Sequence, residues 1–193
     1  MAYFPLFVEL EGCPCLVIGG GEVAYRKVKA LASCGARVTV VSPQLTAGLR
    51  RLVQRKKVRW RPRRFRAGDL DGAQLVVAAT DDQPVNEIAS RLAKRRRLLI
   101  NVVDQPKLCS FIFPSVVRRG KLALAISTGG VSPALAKWIR KDLETRYGPE
   151  FGRLLEGMRK VRSEVLRRTA GVGRRKRLFE KALEAYFKAL KIE

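Results

Sequence analysis

Short apolar runs alternate with amphipathic stretches through the first hundred residues. The runs predict five strands, at residues 15–18, 37–41, 58–60, 74–79 and 98–103. Apolar residues at helical spacing, such as Val28 and Leu31, follow the first run, and further helices are predicted through residues 45–52 and 85–93. Pro43 suits the first turn of the second helix. Strands that alternate with helices predict an α/β fold with a doubly wound parallel sheet.

The pattern changes after Phe113. Residues 115–118 and 122–127 predict an antiparallel hairpin that is separate from the parallel sheet. Three amphipathic helices follow, and the first begins with Ser132 as its N-cap and Pro133 in its first turn. Their apolar stripes are Leu135, Ile139, Leu143 and Tyr147; then Leu154, Leu155, Met158, Val161 and Val165; then Phe179, Leu183, Tyr186 and Leu190.

One hairpin and three helices make a thin core for a single chain. We therefore expect this half to pack against a second copy of the chain, as a homodimer. The predicted organisation has a nucleotide-binding sheet domain at residues 1–113, a small β-hairpin and helical dimerisation region at residues 114–147, and a helical C-terminal domain at residues 148–193.

A glycine turn follows the first predicted strand. Residues Gly19, Gly20, Gly21, Glu22, Val23 and Ala24 match G-x-G-x-x-A, the turn of Rossmann-type dinucleotide-binding domains. Gly19 permits the tight turn, Gly21 lets the backbone approach a pyrophosphate, and Ala24 lets helix and strand pack closely. The amides that open the helix would then face the phosphates. The alternative is a plain glycine-rich turn without a ligand.

The end of the second strand leaves the choice between NAD and NADP open. Ser42, Pro43 and Gln44 stand where an acid that binds the ribose is expected. Arg26, Lys27 and Arg50 are candidates to receive a 2′-phosphate, although the alternative is that they are solvated cations of a basic protein. Thr80, at the end of the fourth strand, either contacts the cofactor or caps the next helix.

The residue composition excludes several kinds of catalytic and structural site. The 193 residues include no histidine, which excludes imidazole metal ligands, Ser-His and Cys-His nucleophiles and a histidine base. Four cysteines, Cys13, Cys15, Cys34 and Cys109, are too few and too unevenly spaced for a disulfide framework, and they predict thiols in a reducing compartment. No metal site is predicted.

The charge points to anionic partners without choosing among them. Forty Lys and Arg against 17 Asp and Glu give a net charge of +23, which attracts nucleic acid, polycarboxylate small molecules or an anionic membrane surface. Only Trp60 and Phe65 interrupt the basic run at residues 50–66 with aromatic rings, so binding to DNA is expected to be non-specific. The sequence has neither a signal peptide nor an apolar run long enough to span a bilayer, so we expect a cytoplasmic protein that binds no membrane.

Five motifs, in order and spacing, are similar to those of one known family. They lie at residues 19–24, 78–86, 101–106, 111–115 and 127–133. Over essentially the whole chain they resemble precorrin-2 dehydrogenase, the N-terminal module of siroheme synthase. The methyltransferase domain of the bifunctional enzymes has no counterpart before Glu193, so the chain resembles a stand-alone form. Gln44 departs from the acid expected in many relatives.

The resemblance implies an NAD-dependent oxidation of precorrin-2 to sirohydrochlorin by an intertwined homodimer. It assigns catalysis to Asp104, which follows the fifth predicted strand, where a carboxylate could accept the proton lost as hydride leaves. The alternative is an aspartate that caps the loop before Gln105 and Pro106. The glycine turn and Thr80 then form a wall of the site, with the substrate-binding segment Ser127, Thr128, Gly129 and Gly130.

Two further activities are compatible with these residues. Some relatives of the resembled family also insert ferrous iron or cobalt into sirohydrochlorin, a ferrochelatase reaction that needs only positioning and a proton acceptor. A non-catalytic NAD-binding redox sensor would also keep the glycine turn and the helical tail, although it would have no use for Asp104. The resemblance also explains the basic charge, because Arg and Lys can pair with the carboxylates of precorrin-2 by charge-assisted hydrogen bonds. Most of residues 50–66 are still expected to form a solvated face.

Overall fold

A five-stranded parallel sheet forms the centre of the first of two units. The computed structural model describes residues 3–190, and the chain divides into Met1–Phe113 and Pro114–Glu193. The sheet strands are β1 (Pro14–Ile18), β2 (Arg37–Val41), β3 (Arg59–Arg61), β4 (Leu75–Ala78) and β5 (Leu99–Val102), in the spatial order β3-β2-β1-β4-β5. The helices are α1 (Glu22–Ala32), α2 (Ala47–Gln54) and α3 (Gln83–Arg95). The predicted doubly wound parallel sheet is confirmed.

Two hydrophobic clusters cover the two faces of this sheet. One contains Val17 of β1 with Val28 of α1 and Leu49 of α2, all fully buried. The other contains Val76 of β4 and Ile100 of β5 against α3. The alternation of side chains along each strand sends neighbours to opposite faces, so β1 and β4, which are covered on both faces, are continuous apolar runs in the sequence.

The second helix begins later than the sequence predicted. Pro43 lies in the preceding loop, and α2 begins at Ala47 with Thr46 as its N-cap. The loop is held away from helical geometry because the Thr46 amide donates to the carbonyl oxygen of Gly20 at 2.9 Å. A tertiary hydrogen bond thus overrides the preference of proline for a first helical turn.

The loop after β5 closes the open edge of the sheet. The Cys109 thiol lies 3.2 Å from both the amide nitrogen and the carbonyl oxygen of Val102, and the Ile100 amide donates to the Ser110 hydroxyl at 2.8 Å. The Asn101 side-chain amide donates to the carbonyl oxygen of Phe111 at 3.0 Å. These bonds occupy backbone groups that an edge strand otherwise leaves open to another chain.

The second unit consists of a hairpin and three helices. The hairpin pairs β6 (Ser115–Arg119) with β7 (Leu122–Ile126) in antiparallel register, as predicted. The helices are α4 (Pro133–Arg146), α5 (Glu150–Arg168) and α6 (Val172–Leu190). The predicted cap is also confirmed, because the Ser132 hydroxyl accepts from the Leu135 amide at 3.2 Å.

Candidate active site

The carboxyl ends of the parallel strands share one edge of the first unit. Ile18 at the end of β1 pairs with Val41 and Ala78, and Ala78 pairs in turn with Val102. The segments that follow these strands therefore start at the same level. This edge, where doubly wound sheets bind ligands, carries Gly19, Ser42, Thr80 and Asp104.

Glycine is required at the first two positions of the turn. Gly19 has a positive φ of 120°, and a Cβ there would lie 2.1 Å from the carbonyl oxygen of Ala79. A Cβ on Gly20 would lie 1.9 Å from the carbonyl oxygen of Gln44. The turn is therefore packed between the segments that follow β2 and β4, and no larger residue fits without moving backbone.

The third glycine faces open space. A Cβ on Gly21 would meet no atom within 4 Å, and Gly21 forms the N-cap of α1 without a side-chain cap. The amides of Glu22 and Val23 lie in the first turn of α1, where backbone N–H groups have no acceptor within a helix. The buried Thr46 hydroxyl also has no hydrogen-bond partner in the described part of the chain. These features fit the diphosphate of a dinucleotide.

The end of β2 carries polar groups and no acid. The Trp60 indole N–H donates to the carbonyl oxygen of Ser42 at 2.9 Å, and this bond fixes the loop. Pro43 and Gln44 are exposed. Arg50, a candidate for a 2′-phosphate, donates from Nε to the carbonyl oxygen of Leu45 at 2.9 Å. The Nε–H group of Arg50 thus stabilises the loop between β2 and α2.

Thr80 belongs to a network at the start of α3. Its hydroxyl accepts from the Asp82 amide at 3.0 Å, and its carbonyl oxygen accepts from the Asn86 side chain at 2.9 Å. The N-cap of α3 is Asp82, whose carboxylate accepts from the Val85 amide at 3.2 Å. Thr80 therefore shapes the turn at the sheet edge but does not itself cap the helix.

Asp104 is exposed just beyond β5 and adopts a left-handed backbone conformation, with φ of 58°. Aspartate tolerates this region better than most residues. Its carboxylate accepts no hydrogen bond from any residue between 3 and 190, and the short 3-10 turn that follows begins at Pro106 with Gln105 as N-cap. The loop-capping alternative is thus not observed, and the carboxylate is available to a ligand.

Lys27 of α1 is the functional candidate that the sequence understated. It is half-buried, and its Nζ lies 4.0 Å from the centre of the Phe113 ring. Burial lowers the pKa of its ammonium, as does the neighbouring Arg26, whereas Asp104 and Cys109 act in the opposite direction. The sequence showed Lys27 only as one of several helical cations, because its approach to residues 104–113 depends on the tertiary fold.

The predicted substrate segment lies in the second unit, between β7 and α4. The Thr128 hydroxyl accepts from the Ser132 amide at 3.2 Å, and the Ser127 hydroxyl accepts from the Gly129 amide at 3.1 Å. Gly129 and Gly130 both have positive φ angles, 64° and 87°. The segment is a glycine turn that leads into a capped helix.

A basic cavity of about 460 Å³ lies at the opposite edge of the sheet, where β1, β2 and β3 begin. Arg37, Lys56, Lys57 and Arg59 line it, and none of the predicted site residues does. Its wall includes Asp69, whose side chain is 1% exposed and pairs with Arg61 and Arg63 at 2.5 and 2.6 Å. The prediction that most of the basic run is a solvated face misses this cluster.

Between residues 3 and 190, no group of three or more acidic or cysteine side chains is placed to hold a metal ion. No helix in the same range is long and apolar enough to cross a membrane. Cys15 is buried in β1, and burial, with Cys13 nearby, raises the pKa of its thiol to about 12.

Similarity to known proteins extends over both units. A family model described as NAD(P)-binding matches residues 6–115, and one described as sirohaem biosynthesis protein, central, matches residues 119–146. The siroheme synthases of Methylobacillus flagellatus and Thioalkalivibrio sulfidiphilus are each 44% identical, over 93% and 95% of this chain. The chain spans only 38% of the length of either relative.

A solved structure matches at full length. The protein named SirC, precorrin-2 dehydrogenase, superposes with a TM-score of 0.80 at 26% identity, and the match covers 98% of this chain and 99% of that one. The NAD(P)-binding model covers more than half of the chain and includes the glycine turn and Asp104. The chain therefore belongs to the NAD(P)-binding family of sirohaem biosynthesis proteins, as its five motifs predicted.

Proposed function

We propose that this protein oxidises precorrin-2 to sirohydrochlorin with NAD as the hydride acceptor. One observation carries the proposal: a glycine turn with open space at Gly21 and an unbonded carboxylate at Asp104 follow strands of one sheet edge. The precorrin-2 dehydrogenase that matches over its full length supports the substrate and the reaction. The siroheme synthases that match this chain support the same pathway.

Each residue at the edge has a role in binding or proton transfer. Gly19 and Gly20 hold the turn close to the segments that follow β4 and β2, Gly21 leaves room for the diphosphate, and the amides of Glu22 and Val23 would bind its oxygens. Bound NAD supplies a two-electron acceptor for the hydride that leaves the macrocycle. A carboxylate oxygen of Asp104 takes the accompanying proton and releases it to solvent, so that the substrate loses two hydrogens in all.

The cofactor preference follows from the end of β2. Ser42, Pro43 and Gln44 offer polar contacts to an unmodified ribose, and Thr80 supports the same edge. Arg50 already donates to the Leu45 carbonyl oxygen, which weakens its candidacy as a 2′-phosphate ligand. We therefore favour NAD over NADP, and equal turnover with NADP would contradict this preference.

The substrate carries several carboxylates, which a protein of net charge +23 attracts. The turn at Ser127, Thr128, Gly129 and Gly130 offers hydroxyl groups and backbone amides to such a ligand. This assignment rests on the resemblance of residues 127–133 to the family motif and on the glycine conformations.

A homodimer is part of the proposal. Only Val117, Ala136 and Leu154 are buried hydrophobic side chains among the described residues of the second unit. Leu135, predicted to face inward on its stripe, is 48% exposed, and Trp138 is 66% exposed. Contiguous exposed apolar side chains of this size mark a surface that another protein covers, and a second copy is the occupant we propose.

We place the protein in the cytoplasm. The thiols of Cys13, Cys15 and Cys109 form no disulfide, which fits a reducing compartment. Alkylation of Cys13 and Cys109, which are only partly buried, in intact cells would test this location, since a thiol in an oxidising compartment resists alkylation once it is paired or oxidised.

The Asp104→Asn variant separates an enzyme from a nucleotide sensor. We expect it to bind NAD with unchanged affinity and to lose at least about a hundredfold in kcat for precorrin-2 oxidation, since a positioned proton acceptor contributes this much. Asp71→Asn, an exposed carboxylate with an ion pair to Arg96, is the matched control. Full turnover by Asp104→Asn would contradict the catalytic assignment, whereas NAD binding without turnover in the wild-type protein would favour the sensor.

A further inference from the structure

The basic cavity of about 460 Å³ lies at the edge of the sheet opposite to the glycine turn. Pro14 and Arg37, the first residues of β1 and β2, line it. The glycine turn begins at Gly19, after the other end of β1, roughly 16 Å away at the usual rise of a strand. Cavities of this volume are typical of sites for small molecules, and a ligand here would not overlap the nucleotide site.

The cavity is open because the crossover from β3 to β4 contains no full helix. Residues 62–74 form only one short 3-10 turn, Ala67–Leu70. Leu70 of this turn is buried in the cluster that includes α3, so the turn covers the middle of the sheet. All three residues of β3 remain exposed. The end of the crossover, through Ala73, forms one wall of the cavity.

Parallel pairing brings arginines of β2 and β3 to the same face of the sheet. Thr39 pairs with Arg59. Because every second residue of a strand points to the same face, Arg37 shares this face with Thr39 and Arg59. Arg61, which follows on β3, points the same way and pairs with Asp69 in the cavity wall at 2.5 Å.

Two lysines join these arginines at the end of α2. Lys56 has a left-handed φ of 54°, and the amides of Lys56 and Lys57 donate to carbonyl oxygens of the last helical turn at 2.9 and 3.0 Å. Arg97 and Leu98 close α3 in the same way, and Leu98 packs on the hydrophobic cluster, as is usual after such a turn. Lys57 stands in place of that apolar residue, is exposed and lines the cavity.

Both acids in the cavity wall are neutralised by other arginines. Asp69 pairs with Arg61 and Arg63, and Asp71 pairs with Arg96. Between residues 3 and 190, no ion pair involves the four cations of the lining that remain, Arg37, Lys56, Lys57 and Arg59. Four like charges around one concave space repel each other and raise the local concentration of anions.

We propose that this cavity binds a small anion with several negative charges, a polyphosphate or a polycarboxylate. The guanidinium groups of Arg37 and Arg59 offer planar sets of donors that suit phosphate and carboxylate oxygens alike. Arg37 is held in place because its Nε donates to the carbonyl oxygen of Gly12 at 2.6 Å, which leaves its terminal nitrogens to a ligand. The Thr39 hydroxyl, which has no hydrogen-bond partner among residues 3–190, adds a donor from β2.

Calorimetric titration with sodium tripolyphosphate and with sodium citrate tests the site. At about 0.15 M ionic strength, scattered surface charges are screened, and we expect one anion bound per chain for at least one of the two. The anion that binds identifies phosphate or carboxylate as the preferred group. Saturating NAD should not displace it, whether or not the protein oxidises precorrin-2. Failure of both anions to bind at this stoichiometry, or displacement by NAD, would overturn the proposal.

A pair of double variants separates this site from the general charge of the protein. Lys57→Gln with Arg59→Gln should raise the Kd of the bound anion about tenfold or more, because two of its charge-assisted contacts are lost. Arg95→Gln with Arg97→Gln removes the same charge from exposed positions at the end of α3, outside the cavity, and should change the Kd less than about twofold. Equal weakening in the two double variants would assign the binding to net charge and refute the site.

Thermal unfolding distinguishes a ligand site from a structural role of the cations. Without the anion, Lys57→Gln with Arg59→Gln should unfold at the same temperature as wild type or slightly higher, since repulsion between like charges is relieved. With the anion, the unfolding temperature of the wild type should rise more than that of the variant. A variant that is clearly less stable than wild type without the anion would show that these cations stabilise the fold, against the proposal.

Discussion

At the scale of single residues, Asp69 forms ion pairs with two arginines of the basic run at residues 50–66, and the sequence did not indicate these pairs. Its carboxylate accepts from the Arg61 and Arg63 side chains and from the Arg66 amide. These bonds, led by the one from Arg63, lower the pKa of Asp69 to about 2. The cluster of Asp69, Arg61 and Arg63 was not predictable from the sequence. A run of cations without an acid is typical of a solvated face, and Asp69 contacts these arginines only in the folded chain.

The Asp69 carboxylate should stabilise the fold above acid pH. Its pKa is depressed in the folded protein, so its contribution is present above the ordinary value of 3.8 and is lost as pH falls towards about 2. We expect Asp69→Asn to lower the free energy of unfolding by about 2 kcal/mol at pH 7. Urea unfolding at pH 7 and near pH 2.5 measures this, with a smaller difference expected at the lower pH.

The exposed Asp71 gives a matched comparison for Asp69. Its side chain is 72% exposed and pairs with Arg96. Asp71→Asn should change the free energy of unfolding by less than about 1 kcal/mol, since exposed ion pairs contribute little. Equal effects of the two substitutions would contradict the structural role of Asp69.

At the scale of elements, the order and kind of the strands and helices were predictable from the sequence. Apolar runs such as residues 74–79 indicated buried strands because both faces of the sheet are covered. The start of α2 was not predictable, since it depends on a hydrogen bond from Thr46 to Gly20. The closure of β5 by Cys109 and Ser110 also depends on tertiary contacts.

The strand, turn and helix at residues 14–32 allow a matched pair of glycine substitutions. Gly20→Ala forces a Cβ against the Gln44 carbonyl oxygen, so we expect it to lower the free energy of unfolding by roughly 1–3 kcal/mol. Gly21→Ala has open space and an ordinary φ of −79°, so it should lower the free energy of unfolding by no more than about 1 kcal/mol, the cost of alanine at an N-cap.

Gly21→Ala should weaken the binding of NAD although it has little effect on stability. The methyl group of Gly21→Ala enters the space proposed for the diphosphate, and we expect its Kd for NAD to rise about tenfold or more, a cost of about 1.4 kcal/mol. Thermal unfolding and titration calorimetry measure the two effects. Wild-type NAD affinity in Gly21→Ala would place the diphosphate elsewhere.

At the scale of the whole molecule, the candidate site was predictable in part. The sequence indicated the glycine turn and Asp104 because parallel strands bring their carboxyl ends to one edge. It understated Lys27, whose contact with the Phe113 ring arises only when the segment after β5 packs beside α1. The sequence predicted which residue types follow each strand, whereas it did not predict contacts between segments that are distant in the chain.

The proposed homodimer gives a prediction at this scale. The wild-type protein should have a mass in solution twice the 21.6 kDa of one chain. Trp138→Glu places a charge on the exposed apolar surface of α4 and should shift the equilibrium to monomer. Lys137→Glu, the exposed neighbour on the same helix, is the control. Light scattering measures both, and a monomeric wild-type protein would contradict the proposal.

The central claim is tested most directly by the stoichiometry of the reaction. Purified protein is mixed with precorrin-2 and NAD without oxygen, and NADH and sirohydrochlorin are followed together by absorbance. We predict one NADH for each sirohydrochlorin formed, with much slower turnover when NADP replaces NAD. Formation of neither product with either nucleotide, in a protein that is folded and binds NAD, would contradict the account.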